Sequence, residues 1–139
     1  MRENLDPNWL GKEEDEIYRE NILDHFKNPR NFGKIENPSV HHKEFNPVCG
    51  DLIEIFLKVN NDKIEDVKFA GKGCAISMAS SSMLTEKING MSLTELKSMK
   101  EDDILEMIGV PLGHVRKKCG LLSLKTIKNG IYNMEVENE

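Results

Sequence analysis

Apolar and polar residues alternate most clearly in the middle of the chain. Over residues 52–59, Ile53, Ile55, Leu57 and Val59 fall on one face, the period of two that marks a half-buried strand. Residues 63–70 repeat the pattern with Val67 and Phe69. Asn60-Asn61-Asp62 lies between them, so the two strands are expected to close an antiparallel hairpin. A two-residue turn at Asn61-Asp62 sets one register. Matching the apolar faces asks for a register one residue away, and the pairing stays open by that one position.

Helical spacing takes over on either side. Asp15 can cap a helix from Glu16 to about Asn28, with Tyr18, Ile22 and Phe26 as its apolar stripe and Asn28-Pro29 as its end. Residues 75–89 and 120–129 read as helices that stop at Gly90 and Gly130. Ser92-Leu93-Thr94-Glu95 is a capping box that starts a short helix at Leu93. Asp102 or Asp103 caps a further helix ending at Gly109, before Pro111. Residues 30–48, punctuated by Gly33, Pro38 and Pro47, are expected to be irregular. Within them His41-His42 reads as part of a solvated loop, whereas His25 reads as a hydrogen-bonded packing residue. Ser77, Ser80, Ser81 and Ser82 read as small residues that let a helix pack closely. The fold class is therefore α+β, a small antiparallel sheet with helices packed on it. Residues 16–139 make a single domain, and 1–15 form a mobile extension unless Trp9 packs on the body or on a partner.

Candidate chemistry lies at the element boundaries. Cys49-Gly50-Asp51 opens the first strand, Gly73-Cys74 opens the helix at 75, and Cys119 opens the helix at 120. At the open end of the hairpin Cys49 and Cys74 come nearly opposite each other, on strands ~5 Å apart. Asp51 projects to the same side as Cys49, and a helix N-terminus favours thiolate. Cys49, Asp51, Cys74 and Cys119 are thus expected to form a metal site at one end of the sheet. A structural zinc site is more often closed by four Cys or His ligands; a carboxylate among thiolates suits a site that is loaded and unloaded. Asp51 has a second reading, as a cap accepting backbone N–H bonds after Gly50. Arg116-Lys117-Lys118 reads as a solvated basic loop, or as charge that lowers the Cys119 pKa or docks an acidic partner.

Composition narrows the class further. With 139 residues, 38% hydrophobic and 31% charged, the chain suits one ordinary globular domain. A net charge of −5 argues against a nucleic-acid partner. No apolar run approaches the ~20 residues of a membrane span, and the first residues lack a signal-peptide core. Three cysteines cannot all pair, which fits free thiols in a reducing cytoplasm.

From Tyr18 to Tyr132 the chain resembles the U-type iron–sulfur scaffold family: IscU, the N-terminal part of NifU, and the SufU branch. The motifs that carry the resemblance are Asp24-His25 with Asn28-Pro29-Arg30-Asn31, then Asn46-Pro47-Val48-Cys49-Gly50-Asp51. They continue with Gly73-Cys74-Ala75-Ile76-Ser77-Met78-Ala79-Ser80-Ser81-Ser82 and end at Lys118-Cys119. The resemblance implies that Cys49, Cys74 and Cys119, with Asp51 nearby, receive iron and sulfur. The product would be a cluster, usually [2Fe-2S], built with sulfur from a cysteine desulfurase and handed to apo iron–sulfur proteins. That is a carrier rather than an enzyme. Lys118 stands where the IscU branch has histidine, which makes Asp51 the better fourth ligand and Lys118 an accessory residue. Val110-Pro111-Leu112-Gly113-His114-Val115-Arg116 departs from the Leu-Pro-Pro-Val-Lys motif of the IscU branch, so an Hsp70-type chaperone is not carried over. The SufU branch supplies the alternative, a zinc-dependent sulfurtransferase accepting persulfide on one of the three cysteines, with zinc in the cluster-free form. The short spacing from Cys74 to Cys119 favours the scaffold. A zinc-stabilised module without sulfur chemistry is the third class, and homo-oligomerisation is left open.

Overall fold

The computed structural model describes residues 13–137. Its elements run α1 (Glu13–Lys27), β1 (Val40–Asn46), β2 (Asp51–Asn60), β3 (Lys63–Lys72), α2 (Ala75–Ile88), α3 (Leu93–Ser98), α4 (Glu101–Ile108) and α5 (His114–Glu137). The strands form one antiparallel sheet in the order β1-β2-β3, the α+β architecture that the patterning predicts.

Both registers of the hairpin are present in it. Asn61 and Asp62 take positive φ, 50° and 64°, the two-residue type I′ geometry that matches strand twist. Across this turn Asn60 pairs with Lys63 and Val59 with Ile64. From Lys58 onward the register shifts, so that Lys58 pairs with Asp66, Leu57 with Val67 and Ile55 with Phe69. Glu65 is the extra residue of a β-bulge. The bulge turns the turn's register into the one the apolar faces require.

The edge strand β1 corrects the expectation of irregular backbone through 48. Val40 pairs with Leu57 and Asn46 with Asp51. Its inward positions are Val40, His42, Glu44 and Asn46, mostly polar, so no apolar alternation marks it. His41 and His42 therefore belong to a strand and not to a solvated loop. His41 stacks on Phe56 at 4.6 Å and its Nε2 lies 2.5 Å from Glu54. His42 meets Glu44 and, more loosely, Asn133 of α5.

Helix α1 starts at Glu13, ahead of the expected Glu16, and residues 1–12 of the expected extension lie outside the described residues. The side chain of Tyr18 lies outside them too. Ile22 is buried, but Phe26 is 41% exposed and the inward face passes through His25 instead. His25 is the hydrogen-bonded packing residue expected. Its Nδ1 lies 2.7 Å from Ser82 Oγ, which also accepts the Arg30 N–H at 2.8 Å. The Ser82 hydroxyl proton is then free to point at Nδ1, which places the imidazole proton on Nε2, beside Glu86. Arg30 closes back on Asp24 at 2.6 Å. The Asp24-His25 and Asn28-to-Asn31 motifs are in this way a clasp holding α1 and the following loop on α2.

Helix α2 is buried on nearly every side, between the inner sheet face, α1 and α5. Its serines bond as well as pack: Ser80 Oγ donates to the Gly120 carbonyl of α5 at 2.7 Å. The capping box at Ser92 and Glu95 is formed, Asp103 accepts the Lys100 N–H at 2.8 Å, and Gly109 ends α4 with φ 77°. The last helix is far longer than 120–129, spanning His114–Glu137. Gly120 and Gly130 are interior to it. A Cβ at Gly120 would stand 2.9 Å from Ile108 Cδ1, and one at Gly130 would stand 2.9 Å from both Val40 and His42. Both are close-approach points between α5 and its neighbours, and Gly130 is not the stop expected. None of the described helices is long and apolar enough to cross a membrane.

Candidate metal centre

The thiols gather at the end of the sheet where β1 turns into β2. Asn46 Oδ1 accepts the Val48 N–H at 3.1 Å and its carbonyl accepts the Gly50 N–H at 2.8 Å. Gly50 takes φ 75°. This tight turn lifts Cys49 into solvent; it sits on the loop and not on the strand face expected for it. Asp51, the first residue of β2, points inward and is 0% exposed. Cys74 follows the end of β3 and occupies the N-cap position of α2, as the sequence suggests. Cys119 lies in the second turn of α5 rather than at its start, and is 2% exposed. The Ser80 bond to the Gly120 carbonyl pins the helix beside it.

Three of these side chains meet, and Cys74 stands beside them through Asp51. Ligand atoms of Cys49, Asp51 and Cys119 all lie within 4.8 Å of one another. Cys49 Sγ and Cys119 Sγ are 2.8 Å apart, beyond the ~2.05 Å of a disulfide, and both cysteines are free. Two thiolates on one tetrahedral ion would stand about 3.8 Å apart, given metal–sulfur bonds of ~2.3 Å, so a metal would spread this pair by about 1 Å. Asp51 divides its carboxylate. Oδ1 accepts the Cys74 N–H at 2.9 Å while Oδ2 faces the Cys74 thiol at 3.9 Å. Asp51 does accept a backbone N–H, but that of Cys74 at the start of α2 and not one of the turn after Gly50, and its other oxygen is left toward the thiol. Gly73 makes room for it, since a Cβ there would lie 2.5 Å from Asp51 Oδ1.

Burial pushes the Cys119 thiol well above its ordinary range. Hydrogen bonds with Cys49 and Asp51 and negative charge at Cys74 add to the push. The expectation of a thiolate favoured by a helix N-terminus therefore fails at Cys119, because the helix begins at His114 and the thiol is desolvated. Lys118 is exposed and lines a groove outside the centre. The donor set fits a thiophilic cation. Asp51 is a fully buried carboxylate whose partners are an amide and thiols, groups that carry no positive charge, and a buried anion of that kind is costly until a cation joins it. Thiolates suit zinc or iron. Sequence reasoning named these four residues as expected ligands but did not single out Gly73, whose lack of a side chain leaves room for Asp51, or Ser77, whose buried Oγ lies 3.0 Å from where a Gly73 Cβ would stand, without a hydrogen-bond partner.

Known proteins resemble this chain in sequence and in fold. The chain is 38% identical over 141 residues to the zinc-dependent sulfurtransferase SufU of Bacillus subtilis, covering 89% of this chain and 95% of that protein. It is 39% identical over 115 residues to the iron-sulfur cluster assembly scaffold protein IscU 1 of Archaeoglobus fulgidus, covering 83% and 74%. Among solved structures, the SUF-system protein FiSufU of Fervidobacterium islandicum superposes with a TM-score of 0.72 at 33% identity, over 84% of this chain and 97% of that one. Residues 17–139 match the NifU-like N terminal domain. By that match, which spans most of its length, the chain belongs to the NifU-like N-terminal domain family.

Proposed function

We propose that this protein is a scaffold for iron–sulfur cluster assembly. Its cargo would be built on Cys49, Cys74, Cys119 and Asp51 from iron and sulfur and then passed to apo-proteins. The observation that carries the reading is the donor set itself, three thiols around a buried carboxylate with one thiol exposed to solvent. The exposed Cys49 gives incoming sulfur a landing point at the rim, while Cys74 and Cys119 hold the deeper positions. A cluster with two irons has four terminal positions, and three thiolates leave one for the harder, more exchangeable oxygen of Asp51. That weak corner suits a cargo that must leave. A cysteine desulfurase is the class of partner that supplies such sulfur, and a reducing cytoplasm is the compartment where the thiols stay free.

A second reading has its own support, in the SufU relative and in a donor set that also fits zinc. There the same four residues would hold a resident zinc ion, whose chemistry is to stabilise a thiolate for sulfur transfer. The test is anaerobic incubation with ferrous iron, cysteine and a cysteine desulfurase, then addition of a thiol reductant that brings persulfide sulfur to sulfide, and finally of apo-ferredoxin. The scaffold account expects visible absorption to develop on this protein and then move to ferredoxin. Persulfide on one cysteine, with no colour and zinc retained, would replace it by the sulfurtransferase reading.

A further inference from the structure

Beside the centre runs a groove of about 500 Å³. One wall is the end of β1 and its turn, where Phe45 is 55% and Val48 59% exposed. The other is a stripe of α5, on which Lys118, Leu121, Leu122, Lys125 and Lys128 recur at helical spacing. By the rise of a helix, the three ammonium groups are spread over about 15 Å. Glu101 is the acidic residue of the lining. The groove thus carries positive charge on a chain whose net charge is −5. Asn46, also in the lining, is 7% exposed, and its Nδ2 has no hydrogen-bond partner. A buried donor without an acceptor is unfavourable, and this one belongs to a residue of the groove wall.

We propose that this groove docks an acidic segment of a partner protein. A large apolar side chain of the segment rests on Phe45, Val48 and Leu121. Its flanking carboxylates meet Lys118, Lys125 and Lys128. The sign of the charge selects the partner, since exposed apolar surface alone would accept any chain. Val48 adjoins Cys49 and Lys118 adjoins Cys119, so the docked segment lies along the mouth of the centre. The proposal rests on the groove and does not depend on which metal the centre holds.

The probe is an acetylated peptide of about a dozen residues, glutamates around a central Leu-Phe pair, titrated into the labelled full chain and followed by NMR. The expected result is shifts confined to the Asn46 side-chain amide, Leu121, Leu122 and the lysine stripe, weakening with added salt. In the variant Lys118→Glu/Lys125→Glu, both positions being exposed, affinity should fall at least tenfold with the rest of the spectrum unchanged. Should that variant misfold, replacing the peptide's glutamates by lysines on the natural chain asks the same question. Equal binding of the lysine peptide, shifts elsewhere, or no binding would overturn the proposal. Groove resonances that move with protein concentration would assign the groove to a second copy. Resonances that move on deleting residues 1–12 would assign it to the chain's own N-terminal segment. Either outcome also overturns the partner assignment.

Discussion

Replacing Asp51 by asparagine and by alanine separates the two jobs its carboxylate does. Oδ1 holds the Cys74 amide at 2.9 Å in a fully buried, charge-assisted bond, worth about 1.5–3 kcal/mol. Alanine loses that bond and leaves the amide unpaired. For a chain of this length the loss corresponds to roughly 5–15 °C in melting temperature, taking about 3–5 °C per kcal/mol. Asparagine keeps an oxygen at the same place, so the bond survives as a neutral one and the loss should stay near ~1 kcal/mol. What asparagine removes is the anionic oxygen that faces the Cys74 thiol. Asp51→Asn should therefore melt close to the natural protein, yet hold metal differently and release cluster to apo-ferredoxin more slowly. Melting of the metal-free protein and transfer rate, measured on the same preparation, decide the matter. Normal transfer from Asp51→Asn, with Asp51→Ala merely less stable, would reduce Asp51 to a cap and refute its role in the centre.

Three further outcomes follow from the geometry. His25 is held below its ordinary value of 6.5, first by burial and then by the charge of Arg30, so the native state prefers it neutral. The stability it contributes is full above pH 6.5 and is lost as pH falls below that value, by at most about 1.4 kcal/mol per pH unit for one proton. Urea midpoints against pH should show this loss, and His25→Gln should flatten it; an unchanged slope would contradict the assignment. In metal-free protein, iodoacetamide should label the exposed Cys49 first and the buried Cys119 last, the latter at least tenfold more slowly. Peptide mass spectrometry with Cys119 leading would contradict the placement. Gly73→Ala sets a methyl 2.5 Å from Asp51 Oδ1 and should cost about 1–3 kcal/mol by overpacking, with weaker zinc affinity in a competition titration; a variant as stable as the natural chain would show that Asp51 has room to yield.

Much of this was legible in the sequence, and what was not has physical reasons. The hairpin could be read because β2 and β3 bury one apolar face, and the turn at Asn61-Asp62 could be read from residue type alone. Their conflicting registers left the pairing open by one residue, and the bulge that accommodates both is a feature neither signal reports by itself. β1 was illegible because its inward residues pack on polar or small groups of α5, with His42 and Val40 against Gly130. A strand facing a glycine and an asparagine needs no apolar alternation. The reach of α5 was hidden by Gly120 and Gly130, which punctuate a sequence but here relieve crowding. That misreading moved Cys119 to a helix start and led to the opposite expectation for its pKa. Cys49, Asp51 and Cys74 could be singled out because each lies beside a boundary that local signals mark, whereas Cys119 was singled out at a boundary that α5 does not have. The groove was not, because its walls come from residues far apart in the chain.

The central claim is that the three thiols and Asp51 form a centre for an iron–sulfur cargo. The absorption spectrum of the protein purified without oxygen, with metal content measured on the same sample, tests it most directly. The account predicts visible charge-transfer bands with iron and acid-labile sulfide present in equal amounts. A colourless protein holding one zinc per chain and no iron, before and after supply of iron and sulfide, would contradict it.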